Sequence, residues 1–213
     1  MRLAIFDVDG TVLRGNSWQE FFWWAAREWP VAAPVLLGGL ALRKLRRLEP
    51  RTLREIALGR LRGLRRDEVE DVGRRVFGQR LQGQIRRAAR VEVARRRAEG
   101  FVPVLATGAF DFLVAPIAEE IEVQEIVCTR LAYDGARCTG RIHEAETRGE
   151  AKAAAVRERF EGRPVDWEKS RAYSDDGEDA ALWGLVGVPI MVCRPERREA
   201  PPKGVEAIVW PDV

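Results

Sequence analysis

The rhythm of apolar positions changes twice along this chain. Residues 3–8, LAIFDV, form an apolar run that ends at Asp9-Gly10, the pattern of a buried strand entering a turn. From about 18 to 97 apolar residues recur at intervals of three and four among helix formers, as in Leu53, Ile56, Leu58, Leu61 and Leu64. Short apolar runs return after Gly100: FVPVLAT at 101–107, EIVCTRL at 125–131, SRAYSD at 170–175, PIMVC at 189–193 and EAIVW at 206–210. Helical stretches follow at about 108–122, 149–160 and 178–186, and the turn residues Asp134-Gly135 and Thr139-Gly140 predict a hairpin over 133–142. Strands spaced by helices predict an α/β fold with a Rossmann-like three-layer core, its mostly parallel sheet covered on both faces. The helical stretch falls between the first and second strands. It therefore predicts an inserted α-helical domain at 16–97, with the α/β core assembled from 1–15 and 98–213.

Composition narrows the class further. With 213 residues, 46% of them hydrophobic and 32% charged, the chain can bury a real core, which excludes collagen-like, disordered and disulfide-scaffold proteins. Cys128, Cys138 and Cys193 form neither a CxxC pair nor an even set, so they read as buried small residues of a reducing compartment and argue against structural zinc. Only four residues separate Arg2 from Asp7, too few for the apolar region of a secretory signal, so a cytoplasmic location is expected. The net charge of +3 conceals an asymmetry: residues 40–100 carry 19 Arg or Lys against 8 Asp or Glu, so that stretch is strongly basic and the remainder acidic.

Ligands of open parallel sheets bind beyond the carboxyl ends of the strands. Three of the expected strands end in polar clusters: Asp7-Val8-Asp9-Gly10-Thr11, Thr107-Gly108, and Ser174-Asp175-Asp176 with Asp179 one turn on. Residues i and i+2 point to one side, so Asp7 and Asp9 can face a single reacting centre while Gly10 permits a sharp exit. Carboxylates converging from two strands repel one another unless a hard divalent cation joins them, and magnesium is the expected ion. A metal there draws phosphate, to which Lys152, the Thr107 hydroxyl and the Gly108 amide offer donors. Each has a plainer alternative: Thr107 can be a strand-end hydroxyl capping the next helix, Lys152 a solvated surface lysine, and Asp176 a helix N-cap.

On these residues the chain resembles the haloacid dehalogenase (HAD) superfamily, in its phosphoserine phosphatase-like branch with a helical cap. DVDGT at 7–11 is similar to the first motif, Thr107 to the second, Lys152 in GEAKAAAV to the third and SDDGED at 174–179 to the fourth. The resemblance implies a Mg2+-dependent phosphatase in which Asp7 attacks phosphorus to give an aspartyl phosphate that water later hydrolyses. It implies that Asp9 protonates the leaving group and then activates that water. It further implies that Asp7, the main-chain carbonyl of Asp9 and Asp175 hold the metal, and that Thr107, Gly108 and Lys152 bind the phosphoryl group. Gly10, Thr11, Asp176 and Asp179 would support them. Two positions depart from the family pattern. Asn16 stands where phosphoserine phosphatases carry a glutamate that meets the substrate amino group, which disfavours phosphoserine, and Glu178 stands where Asn or Ser is common.

The start of the insertion is a separate signal. Trp18, Phe21, Phe22, Trp23, Trp24 and Trp29 precede VAAPVLLGGLAL and then RKLRR. An aromatic belt, an apolar run and a basic flank suit a membrane surface, although twelve apolar residues are short of a span of about 20. The reading preferred here packs the aromatics as the core of a cap over the active site, with a lipid-facing surface as the alternative. Nucleic acid is disfavoured because the basic residues lack interleaved aromatics beyond Phe77. The expected substrate is a small-molecule or lipid phosphate ester. The competing functions are a phosphotransferase sharing the first step and a noncatalytic membrane or nucleic-acid adaptor on the same fold.

Overall fold

The computed structural model describes residues 1–46, 49–193 and 200–211. From β1 (Arg2–Phe6) the chain enters α1 (Ser17–Glu28), α2 (Ala33–Lys44), α3 (Pro50–Leu58), α4 (Arg66–Val76), a π-helical turn at Phe77–Leu81 and α5 (Arg87–Ala98). Then come β2 (Phe101–Phe110), α6 (Asp111–Glu120), β3 (Glu125–Thr129), β4 (Leu131–Asp134), β5 (Arg137–Ile142) and α7 (Glu150–Arg159). The chain continues through β6 (Arg171–Ser174), α8 (Ala180–Trp183), β7 (Val188–Cys193) and β8 (Glu206–Val209).

Leu3 and Ile5 of β1 pack into one layer and Ala4 and Phe6 into the other, all fully buried, as expected of a central strand covered on both faces. The first layer takes Val156 of α7 and Phe160 just beyond it, with Leu182 and Trp183 of α8; the second takes α6 and the helices between β1 and β2. Six strands lie in the order β3-β2-β1-β6-β7-β8, every neighbour parallel. The order reverses direction between β1 and β6, so the turns leaving these strands diverge and open a crevice.

Several boundaries differ from the sequence expectation. β1 stops at Phe6. β2 does not end at Thr107 but runs on to Phe110, with a register shift against β3 between those two residues. The run EIVCTRL is split: β3 ends at Thr129, and Leu131 opens the antiparallel β4–β5 hairpin, which turns at Gly135 with φ +54°. The hairpin meets the helical insertion through backbone bonds, Gly63 N to Cys138 O and Cys138 N to Leu64 O, both 2.8 Å. The helix expected at 178–186 is a 3-10 turn at Gly177–Asp179 followed by the single turn of α8. Cys138 and Cys193 are buried, but Cys128 is only half-buried.

The aromatic cluster divides. Phe21, Phe22 and Trp24 are buried, Trp18 and Trp29 pack against them, and Trp23 is half-exposed. Among the described residues no helix is long and apolar enough to cross a membrane.

Candidate active site

Asp7 follows β1 directly, and its amide extends the ladder to β6 by donating to the Tyr173 carbonyl at 2.9 Å. The chain then turns back, Leu13 N donating to Val8 O at 2.8 Å, with Gly10 at φ +85°. A side chain at Gly10 would be strained by that φ and would collide with Asp175, whose Oδ2 lies 2.2 Å from an added Cβ. Thr11 ties the two turns together, donating from Oγ1 to Asp175 Oδ1 (3.2 Å) and accepting from Asp175 N (3.0 Å). The loops after β1 and β6 are thus locked by a glycine and a buried threonine.

Lys152, on the first turn of α7, is buried rather than solvated. Its Nζ donates to Asp7 Oδ1 at 2.8 Å and to the Asp179 carboxylate at 2.7 Å. Ser174 Oγ also donates to Asp179, at 2.6 Å, so Asp179 is held from two sides. Asp9 points into the same cavity and accepts from Ser17 N, the first residue of α1, at 2.7 Å. Burial is the largest influence on both carboxyls. It raises Asp7 to about 7 against the opposing pull of Lys152, and it raises Asp9 against the hydrogen bond from Ser17. Two buried carboxylates share one lysine, with Asp9 close by.

Asp7, Asp9, Thr107, Gly108, Lys152, Asp176 and Asp179 all line one cavity of about 110 Å³. Asp175 does not; it packs behind Gly10 and Thr11. Thr107 does not cap α6: its hydroxyl accepts from Ala109 N at 3.1 Å, inside the irregular end of β2. Asp176 does act as an N-cap, accepting from Glu178 N at 2.9 Å, while still bordering the cavity. Asn16 likewise caps α1 by accepting from Gln19 N at 3.0 Å.

Three lining residues escaped the sequence reading: Arg54, Arg148 and Gly149. Arg54 reaches in from α3, pairs with Glu146 at 2.9 Å and lies 5.7 Å from the Trp18 ring centroid. Arg148 packs where a Gly108 side chain would stand, its Cγ 2.7 Å from the added Cβ, and pairs with Glu178 at 2.9 Å. Glu178, which stands where the family commonly has Asn or Ser, is thereby turned onto an arginine. Arg54 is one arginine among many in a basic stretch, and no local pattern distinguished it. Gly149, with φ +53° just ahead of α7, was the one available signal for that corner.

The profile of haloacid dehalogenase-like hydrolases matches residues 4–182. Phosphoserine phosphatase SerB2 of Mycobacterium tuberculosis is 25% identical over 199 residues, 93% of this chain and 46% of that protein, so the chain spans less than half of that relative's length. A Bordetella pertussis Tohama I protein of unknown function has a similar structure, with a TM-score of 0.81, 28% identity and 97% of each chain covered. A phosphoserine phosphatase solved as a phospho-aspartyl intermediate analogue shares the fold at a TM-score of 0.61 and 20% identity, over 90% of this chain and 86% of that one.

Proposed function

The chain belongs to the haloacid dehalogenase-like hydrolase family, and from that premise we propose that it is a phosphatase that cleaves a small, polar phosphate monoester through an aspartyl phosphate on Asp7. The observation that carries this reading is the buried clamp of Lys152 on Asp7 and Asp179 at the floor of a polar cavity. Asp7 supplies the attacking oxygen, and Lys152 neutralises charge that builds on the transferring group. Asp9 is held by the Ser17 amide and its pKa is raised by burial, which suits a group that gives a proton to the departing alcohol and then takes one from water. Thr107 and Gly108 border the phosphoryl position from the end of β2. Residues 16–97 act as a cap over the core of 1–15 and 98–213, a reading supported by Arg54, which reaches the cavity from α3.

The residues suit a magnesium ion. Carboxylates outnumber the lysine in a buried space, and the donors are hard oxygens. Among the described residues no three His, Cys, Asp or Glu side chains gather as a metal cage, and magnesium does not require one, being held typically by one or two carboxylates with water and substrate phosphate. Asp7, the Asp9 carbonyl and Asp175 would hold it, with Thr11 and Gly10 fixing the position of Asp175. When bound it supplies positive charge that offsets the acidic cavity and the incoming phosphate.

The cavity lining is polar or glycine throughout, which favours a small polar alcohol over an acyl chain as the leaving group. Asn16 offers a carboxamide engaged as a helix cap, and so no free acid for a substrate ammonium at that position. Phosphate release from a panel of esters that includes phosphoserine, with magnesium and with chelator, tests the reading. Hydrolysis of small polar esters that disappears in chelator is expected. Absence of release from every ester overturns the activity, and full rate in chelator overturns the metal.

A further inference from the structure

Helix α2 carries no charge until its last two positions: Ala33–Lys44 reads APVLLGGLALRK. A helix apolar on all sides belongs in a core or against lipid, yet among the described side chains of α2 only Leu36 and Gly39 are buried, with Leu40 half-buried. Eight large apolar side chains are exposed among the described residues, and six of them fall within residues 23–45: Trp23, Val31, Val35, Leu37, Leu42 and Leu45. Val31 is 85% exposed and Leu45 65%. Scattered exposure of single apolar residues is ordinary, but five of these fall within fifteen residues, three in α2 and one just beyond each of its ends, and such clustering marks an interaction surface.

Charge identifies the partner. From Trp29 to Leu48 the sequence contains no acid and four cations, Arg43, Lys44, Arg46 and Arg47. The first three are exposed at the end of α2, and Arg47 lies outside the described residues. A second copy of this chain presents the same cations and no acid along the stretch, whereas an anionic bilayer offers both an apolar interior and opposite charge. Twelve residues make a helix of about 18 Å, which lies along a bilayer whose hydrocarbon is about 30 Å thick rather than across it. We propose that α2 docks this protein on an anionic lipid surface, independently of what the cavity hydrolyses. The insertion and not the α/β layer makes the contact, through the helix that packs on α3, the carrier of Arg54.

Flotation of the full chain with phosphatidylcholine vesicles, and with vesicles of equimolar phosphatidylcholine and phosphatidylglycerol, tests this. Binding to the mixed vesicles alone, weakened by salt, is expected. The Arg43→Gln/Lys44→Gln/Arg46→Gln variant should bind on the order of a hundredfold more weakly, at about fivefold per cation. Val35→Asp/Leu42→Asp should abolish binding with an unchanged melting curve, because both sites are exposed. Equal binding to both vesicles, or binding to neither, overturns the proposal. So does a dimer in sedimentation that Val35→Asp/Leu42→Asp disperses, which would give the face to a second copy.

Discussion

Two buried ionic clusters adjoin strand β6, and they differ in charge balance. Beyond its carboxyl end, Asp7 and Asp179 share Lys152 beside a cavity that Asp9 also lines. Along its length, Tyr173 donates to Glu92 Oε1 at 2.6 Å and accepts from Arg96 Nε at 2.8 Å, while Arg96 also pairs with Glu92 at 2.8 Å and with Glu99 at 2.8 Å. Tyr173 is stacked between Phe6 and Trp210, with ring centroids 4.5 and 6.0 Å away. In the second cluster each ion has a partner, and it fastens α5 to the sheet. In the first, like charges are held together at a cost and opened to a ligand. Burial alone marks neither as functional; unbalanced charge facing a cavity separates the two.

The comparison is sharpest in the consequences of removing one carboxylate from each cluster. Asp7→Asn should reduce phosphate release at least about a thousandfold while leaving the melting temperature unchanged or higher, because the amide cannot attack phosphorus and a repelling charge is gone. Steady-state rates beside a melting curve check it; wild-type turnover would remove Asp7 from the chemistry. Asp9→Asn should cost on the order of a hundredfold with alkyl phosphates and far less with nitrophenyl phosphate, whose leaving group needs little protonation. Equal losses for both esters would deny Asp9 that role.

Glu92→Gln should behave in the opposite way. It leaves Arg96 buried beside a neutral amide and should destabilise by about 3–5 kcal/mol, lowering the melting temperature on the order of 10 °C, with turnover intact at low temperature. The smallest effect is one of pH. Burial pushes the Glu92 carboxyl up, but hydrogen bonds from Arg95 and Tyr173 and the charge of Arg96 prevail and hold it below its ordinary 4.5. A carboxyl depressed in the folded state contributes stability above its unfolded pKa and loses it as pH falls through the folded value. The stability gap between wild type and Glu92→Gln should therefore be widest near neutrality and narrow as pH falls below the ordinary 4.5. A gap that is flat with pH in urea titrations would show that Glu92 acts by packing alone.

Much of this was legible in one dimension, for identifiable reasons. Asp7, Lys152 and Asp179 sit at the ends of elements, and Asp9 and Thr107 lie within three residues of a strand end, so the apolar pattern that predicted the elements also located these residues. Arg54 and Arg148 do not follow an element boundary, and each owes its place to a partner, Glu146 or Glu178, met only on folding. The insertion shows the same limit. Its apolar and aromatic runs are plain in the sequence, but the buried aromatics Phe21, Phe22 and Trp24 and the exposed Val31 and Val35 belong to one stretch of hydrophobic text.

What the sequence by itself determined was the order of strands and helices, the interruption after the first strand, and the set of polar residues at the sheet's carboxyl edge. These follow from periodicity and from turn residues, which act over a few positions along the chain. Only the tertiary structure decided that β1 and β6 would be neighbours, that Lys152 would reach Asp7 across 145 positions, and that Asp175 would pack behind Gly10. It also decided which side of the apolar insertion would stay uncovered. The reason is physical: pairing between distant strands, sharing of a buried charge and burial of a helix face are properties of two surfaces brought together, and one stretch of sequence specifies only its own.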